Sequence, residues 1–393
     1  MADYPHDYFG GRTALETADI PHIDRLAEAG ELGLVRTIPP GMPPGSDTAN
    51  LSVVGYDPQL YYTGRSPLEA ASLGVELNPT DVSFRCNLVT LSPEQPYSAK
   101  SMVDYSAGEI SSEEAAELIA LLGRELNDAQ FTFYPGFRYR HLLVRRDDSD
   151  NWDLTPPHDI SGRPIKDYLP RGPEAPLLNG LMEKSYQLLA DHPVNRKRES
   201  RNLKPANSIW IWGNGRKPQL PAFQEKYALS GAVISAVDLI KGLGLIAGLE
   251  SIDVTGATGD IDTNYNGKVA AALAAFRRGH DFVYLHIEAP DECSHRFEAD
   301  NKVKAIELID RLVLAPILAE LERDGEPFSI LVTPDHATPL TLGTHTDDPV
   351  PFIIYRSDHE QSNKGRLYNE QQAAATGLMI EQGSTLMDRF LQK

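Results

Sequence analysis

Cysteine is scarce in this chain, with only Cys86 and Cys293 among 393 residues. Two such residues make no disulfide scaffold, and the usage points to a reducing cytoplasm. No apolar run is long enough to cross a bilayer, and the opening "MADYPHDYFGG" lacks the apolar core of a signal peptide. Positive charge is also short. A formal net charge of -19 argues against a nucleic-acid or anionic-membrane partner, since both demand a positive field. Local arginines still leave an anionic small substrate open. Internal repeats and low-complexity tracts are missing too, which excludes a solenoid or a linker-rich chain.

What is present is enough apolar material, 41% of residues, for a large core, and enough length for two domains of roughly 150 residues each. The helix pattern "IPHIDRLAEAG" is followed by the irregular, Pro- and Gly-rich "VRTIPPGMPPGSDTANLSVVGYDP". From about residue 77 to 179 strand-like segments with few helices suggest an α+β domain. Strand and helix then alternate from "SIWIWG" through "SIDVTG", "DFVYLHI", "FSILVT" and "PFIIY". The expectation is an α/β core, residues 1–76 and 180–393, with a mostly parallel sheet covered on both faces. The smaller domain, 77–179, is inserted into it, and the cleft between the two is the first place to look for a ligand.

The chemistry-bearing residues cluster at predicted strand ends, where open α/β sheets place their ligands. "FSILVTPDHATP" ends a β-branched run in Asp335 and His336, and His345 precedes the next apolar strand. Taken alone, this is equally a hydrogen-bonded Asp-His turn and an unrelated surface histidine. "DFVYLHIEAPDECSHR" adds Asp291 and His295, which share one helix face if Pro290 opens a helix. Asp291, His295 and His345 would form a compact set for one divalent cation, leaving Asp335 and His336 for a second. Ser46, at the helix start in "PPGSDTANLS", is the candidate nucleophile; otherwise it is a plain N-cap.

The motifs "PPGSDTANLSVVGYDP", "FRCNLVT", "MVDYSAG", "YRHLLV", "HPVN", "EKYALSGAVISAVDLIKGLG", "GATGDIDTNYNGK", "EAPDECSH" and "TPDHATP…HTDDPVPF" resemble those of archaeal-type cofactor-independent phosphoglycerate mutases. These enzymes belong to the alkaline phosphatase superfamily, and the similarity runs to the C-terminal "GSTLMDRFL". The resemblance implies isomerisation of 3-phosphoglycerate and 2-phosphoglycerate in glycolysis and gluconeogenesis, through a phosphoserine on Ser46. It implies two divalent cations, manganese foremost, with magnesium, zinc or cobalt as alternatives. Asp291, His295 and His345 would hold one, and Asp335, His336 and Ser46 the other. Lys226 would steady the transferring phosphate, or be a solvated helix lysine. Arg85 and Arg140 would grip the glycerate part, unless they are surface ion pairs. His141 would donate or move a proton, with Asp104 and Asp262 as weaker candidates for that role. His158, His192 and His286 read as structural.

A phosphohydrolase or phosphotransferase for another small phosphometabolite remains the alternative, as does a weakly active or non-catalytic relative. Members of the family open with an apolar strand ending in Gly-Asp-Gly-Met-Ala-Asp, whose first Asp ligates the metal beside the serine. This chain starts at the Met of that motif, so the first sheet strand and that Asp are expected to be missing, with Asp3 matching the later Asp. Either the true start lies upstream or the chain is a damaged relative. As written, it is expected to hold its second metal weakly and turn over slowly.

Overall fold

Each local element follows from its residues. The helix Pro21–Ala29 opens on a proline, whose missing N–H is no loss at a first turn. Ile23, Leu26 and Ala27 form its buried stripe. Gly30 caps its end in an extended conformation, and only glycine fits there because a Cβ would lie 2.7 Å from the Ile354 carbonyl oxygen. Strand β1 (Glu31–Val35) follows at once.

The computed structural model describes residues 1–146 and 152–392. It divides the chain into two units, Met1–Tyr62 with Gln219–Lys393, and Thr63–Pro218. The second unit is built on β2 (Val82–Leu91), β3 (Met102–Asp104), β4 (Phe131–Tyr134), β5 (Arg140–Arg145) and β6 (Ser208–Gly215). All pairings are antiparallel, and β2, buried along its whole length, is bordered by β3, β5 and β6. The helices Ser112–Leu126 and Ala175–Leu189 contribute Leu118, Leu122, Leu178 and Met182 to its core. Its limits lie outside the expected 77–179. The strand "SIWIWG" pairs with β2, Cys86 opposite Ile211, and so belongs to this sheet rather than to the α/β core.

In the first unit β7 (Gly231–Ile234), β8 (Glu250–Ser251) and β9 (Phe282–Leu285) form a parallel sheet in the order β8-β7-β9. Helices Asp238–Ile246 and Tyr265–Arg277 supply the crossovers that parallel neighbours require. A second sheet, β10-β11-β1-β12, combines β10 (Ser329–Val332), β11 (Val350–Arg356), β1 and β12 (Met379–Ile380). Here β11 is antiparallel to both β10 and β1. The expectation of one mostly parallel sheet therefore gives way to a mixed α/β arrangement with two sheets in this unit. Residues 333–349 contain no crossover helix, so the chain can only return antiparallel. Among the described residues no helix is long and apolar enough to cross a membrane.

Candidate active site

The ends of β9 and β10 carry the site. After a three-residue link from β9, the helix Ala289–His295 begins with Pro290 in its first turn, which puts Asp291 and His295 one turn apart on one face. The β10–β11 connection returns His345 to the same place. Nε2 of His295 lies 3.2 Å from Asp291 Oδ2, and Nε2 of His345 lies 3.5 Å from Asp291 Oδ1. The two imidazole Nε2 atoms are 2.9 Å apart. All three donor atoms lie within 4.8 Å of one another. A tetrahedral ion with nitrogen ligands at about 2.0–2.1 Å holds them roughly 3.3 Å apart, so the set fits a divalent cation.

Its electrostatics point the same way. Nδ1 of His295 faces the Gly343 carbonyl oxygen at 2.9 Å, which favours an Nδ1–H tautomer and leaves Nε2 to the cluster. The hydrogen bond to Asp291 raises the His295 pKa to about 9. Burial pushes the Asp291 carboxyl up, but the hydrogen bonds to His295 and His345 outweigh it and hold it well below its usual range.

Asp335 and His336 directly follow Pro334 at the end of β10. Asp335 Oδ2 accepts from Asn50 Nδ2 at 2.8 Å and lies 3.5 Å from His336 Nε2. Ser46 Oγ is 3.0 Å from that same His336 Nε2. Ser46 is the first residue of the helix Ser46–Val53, so its hydroxyl sits at the positive end of the helix. Burial lowers the His336 pKa, keeping a neutral imidazole beside the serine at pH 7. The His336 and His345 rings are 4.0 Å apart, centroid to centroid, which joins the two groups into one site. Ser46, Asp291, His295, Asp335, His336 and His345 therefore converge.

The chain matches the sequence model of the 2,3-bisphosphoglycerate-independent phosphoglycerate mutases over residues 27–195. A probable 2,3-bisphosphoglycerate-independent phosphoglycerate mutase of Geobacter sulfurreducens is 51% identical over 393 residues, covering 100% of this chain and 98% of the relative. Its counterpart from Methanosarcina barkeri is 49% identical over 388 residues, covering 98% and 96%. This chain belongs to that family. Its members are mutases, a class of isomerase. Among solved structures, the PH0037 protein from Pyrococcus horikoshii superposes with a TM-score of 0.82 at 29% identity, covering 100% of this chain and 95% of that one. The cofactor-independent phosphoglycerate mutase from Thermoplasma acidophilum gives 0.67 at 29%, covering 100% and 96%.

Two residues of this mutase-family site carry no obvious sequence signal. Asn50 is fully buried; its amide donates to Asp335 and to the Ser46 carbonyl oxygen, and its Oδ1 accepts from the Tyr284 hydroxyl. Thr338 donates to Asp291 Oδ1 and lies 3.2 Å from His336 Nδ1, tying the two ligand groups together. A polar residue four positions after the serine, on a buried helix face, is the only hint of the first. His286, expected to be structural, stands at the end of β9, its Nδ1 3.2 Å from Ser235 Oγ. Burial lowers its pKa to about 4, with Asp335 and Asp291 both near enough to oppose the shift. Its carbonyl oxygen accepts from the buried Lys268 at 3.0 Å.

Lys226 is placed elsewhere. Its ammonium donates to the Gly55 carbonyl oxygen and lies 5.0 Å from the Tyr56 ring centroid. Gly55 lies just beyond the C-terminal end of Ser46–Val53, a helix that at about 1.5 Å per residue puts roughly 10 Å between its first and last residues. Asp3 is also committed, since it pairs with Lys302 at 2.8 Å and accepts from the Leu340 N–H at 3.0 Å.

In the second unit Arg140 lies opposite Asn87, and Arg85 opposite Leu142, which puts both arginines on one sheet face. Arg85 is buried, pairs with Glu69 at 3.0 Å and stacks 4.2 Å from the Trp212 ring centroid. Arg140 is exposed. His141 falls on the opposite face, buried, with Nδ1 accepting from the Gly136 N–H at 3.0 Å. Burial lowers its pKa to about 3, so it is a neutral core imidazole on the sheet face opposite the two arginines. Asp104 pairs with Lys204 and caps the turn at Ser106, while Asp262 is exposed near Thr258.

Proposed function

We propose that the chain interconverts 3-phosphoglycerate and 2-phosphoglycerate without bisphosphoglycerate, through a phosphoserine on Ser46. The observation that carries this is the Ser46 hydroxyl, 3.0 Å from His336 Nε2, at a helix N-terminus beside two converging groups of metal-type ligands. Asp291, His295 and His345 would hold one divalent cation, and Asp335, His336 and Ser46 a second, manganese being the leading choice. Bound there, the cations supply neutralisation of the phosphoryl oxygens and favour the serine alkoxide.

The chain's own residues do the rest. Asn50 fixes Asp335 relative to the first turn of the serine helix, and Thr338 fixes Asp291 relative to His336. Ser46 Oγ attacks phosphorus as the bond to the glycerate oxygen breaks, and the proton that the serine gives up passes to the departing oxygen, so the glycerate leaves as an alcohol. Its other hydroxyl then attacks the phosphoserine, and the serine oxygen leaves. Arg140, the exposed one, would offer its guanidinium to the substrate's carboxylate, and Arg85, on the same sheet face, would join it by exchanging its pair with Glu69, since a planar fork binds a carboxylate better than a point charge. The ligand groups at the ends of β9 and β10 also support an alkaline-phosphatase-like core. The two free, buried thiols suit a reducing cytoplasm.

The test is a coupled enolase assay on 3-phosphoglycerate with parallel measurement of inorganic phosphate. Formation of 2-phosphoglycerate without phosphate release, dependent on added manganese, is the expected result. Phosphate release without 2-phosphoglycerate would make the chain a phosphohydrolase and overturn the mutase reading.

A further inference from the structure

The helix Ala289–His295, which carries Asp291 and His295, ends in a Schellman turn. The Phe297 N–H donates to the Ser294 carbonyl oxygen at 3.0 Å, and the Glu298 N–H to that of Cys293 at 2.8 Å. The left-handed position of such a turn normally holds glycine, because a Cβ there crowds the following carbonyl. Here it holds Phe297, with a φ of 58°. Burial offsets little of that strain, since the side chain belongs to a residue that is 63% exposed. A bulky aromatic kept in a strained and solvated position calls for a role other than core packing.

The far end of the ring rests against Gly343. A Cβ added to Gly343 would lie 2.4 Å from Phe297 Cζ and 2.8 Å from Cε1. Gly343 is itself left-handed, at a φ of 63°, in a turn closed by its N–H on the Pro339 carbonyl oxygen at 2.8 Å. Its own carbonyl oxygen faces His295 Nδ1 at 2.9 Å, the contact that leaves Nε2 to a cation. Glycine has the widest backbone freedom of any residue, and its neighbours Thr341, Leu342 and Thr344 are exposed. Unrestrained, that carbonyl would swing. The Phe297 ring occupies the space beside Gly343 and is fixed to the end of the very helix that bears His295. The contact also brackets the imidazole pair, since Phe297 comes two residues after His295 and Gly343 two residues before His345. From His295 through Phe297 to Gly343 and back to His295 Nδ1, the contacts close on themselves.

We propose that Phe297 is a positioning residue for the Asp291–His295–His345 cation site, its ring holding the Gly343 carbonyl on His295 Nδ1. This rests on the reading of those three side chains as cation ligands. The ring touches no ligand directly. It acts through Gly343, and so fixes the tautomer of one imidazole and the approach of the other.

Phe297→Gly in the full chain tests this, because glycine keeps the Schellman turn, relieves the left-handed strain and deletes only the ring. Manganese binding is titrated by the loss of its free-ion EPR signal. The His295 tautomer is read from imidazole nitrogen chemical shifts in the metal-free protein. The expected result is a Tm at or above that of the parent chain, with one manganese site roughly tenfold weaker and the single Nδ1–H form of His295 lost. Phe297→Met, whose side chain reaches about as far as the ring, is expected to keep most of the affinity. Parental affinity and an unchanged tautomer in Phe297→Gly would overturn the proposal. So would an affinity that falls only in step with Tm, which would make the ring a structural part and nothing more. Because the tautomer is read without metal, failure of the ligand set, seen as no manganese bound by the parent chain, is told apart from failure of Phe297, seen as no change in His295.

Discussion

At the scale of single residues, the site rests on short polar contacts that substitutions can break one at a time. Ser46→Ala is expected to abolish phosphoryl transfer while leaving Tm nearly unchanged, because the hydroxyl is half-buried and its removal strands no buried donor. Normal turnover in that variant would remove Ser46 as the nucleophile. His345→Ala and Asp291→Ala should each lose one bound cation per chain, read by metal analysis; an unchanged stoichiometry in both would defeat that ligand set. The pH dependence has a defined sign. The folded His295 pKa, raised to about 9 by its hydrogen bond to Asp291, stabilises the metal-free protein fully below about 6.5, and that contribution fades as pH climbs through about 9. A cation competes with the same proton, so affinity should rise over that window. Thermal unfolding of the metal-free protein and a metal titration at pH 6 and pH 9 read both effects. The ligand residues were legible because Asp and His at strand ends stand out locally. Asn50 and Thr338 were not, since their roles depend on partners nearly 300 and 50 positions away. Lys226 is the converse case: its motif stands out, yet its amine donates to the Gly55 carbonyl oxygen, just beyond the C-terminal end of the serine helix.

At the scale of elements, the connection 333–349 does most to assemble the site, because it carries Asp335, His336, Thr338 and His345 between two antiparallel strands. Its position was readable from two apolar runs separated by Pro, Gly and Asp. Its direction was not, because an apolar run looks the same in parallel and antiparallel sheets. The pairing of β6 with β2 was hidden for a similar reason, being a contact across more than 100 positions. Gly343 is the weak point of this connection. Its φ of 63° favours glycine, and an added Cβ would lie 2.4 Å from the Phe297 ring. Its carbonyl also orients His295. Gly343→Ala should therefore cost about 1–3 kcal/mol of stability and weaken cation binding together. If denaturant unfolding shifts while metal affinity holds, the loop carries strain but does not position His295.

At the scale of the whole molecule, the chain reads as one unit interrupted by another. The second unit has the marks of an autonomous domain. Its core gathers Phe84, Leu88, Ile119, Leu143 and Trp210 from β2, β5, β6 and the long helices, all drawn from within its own limits. Its ends meet: Thr63 Oγ1 donates to the Arg216 carbonyl oxygen, and an added Cβ on Gly64 would lie 2.4 Å from the Asn214 carbonyl oxygen. A segment that enters and leaves at one point can be cut out without breaking its sheet. Residues 63–218 expressed alone are thus expected to unfold in a single cooperative transition, with dispersed amide resonances and the Arg85–Glu69 pair intact. They should also bind neither manganese nor any other divalent cation tightly, because every proposed ligand lies in the first unit. A molten or insoluble fragment would show that the insertion depends on the rest of the chain for its fold. Tight cation binding by the isolated fragment would place a metal site where the ligand assignment has none.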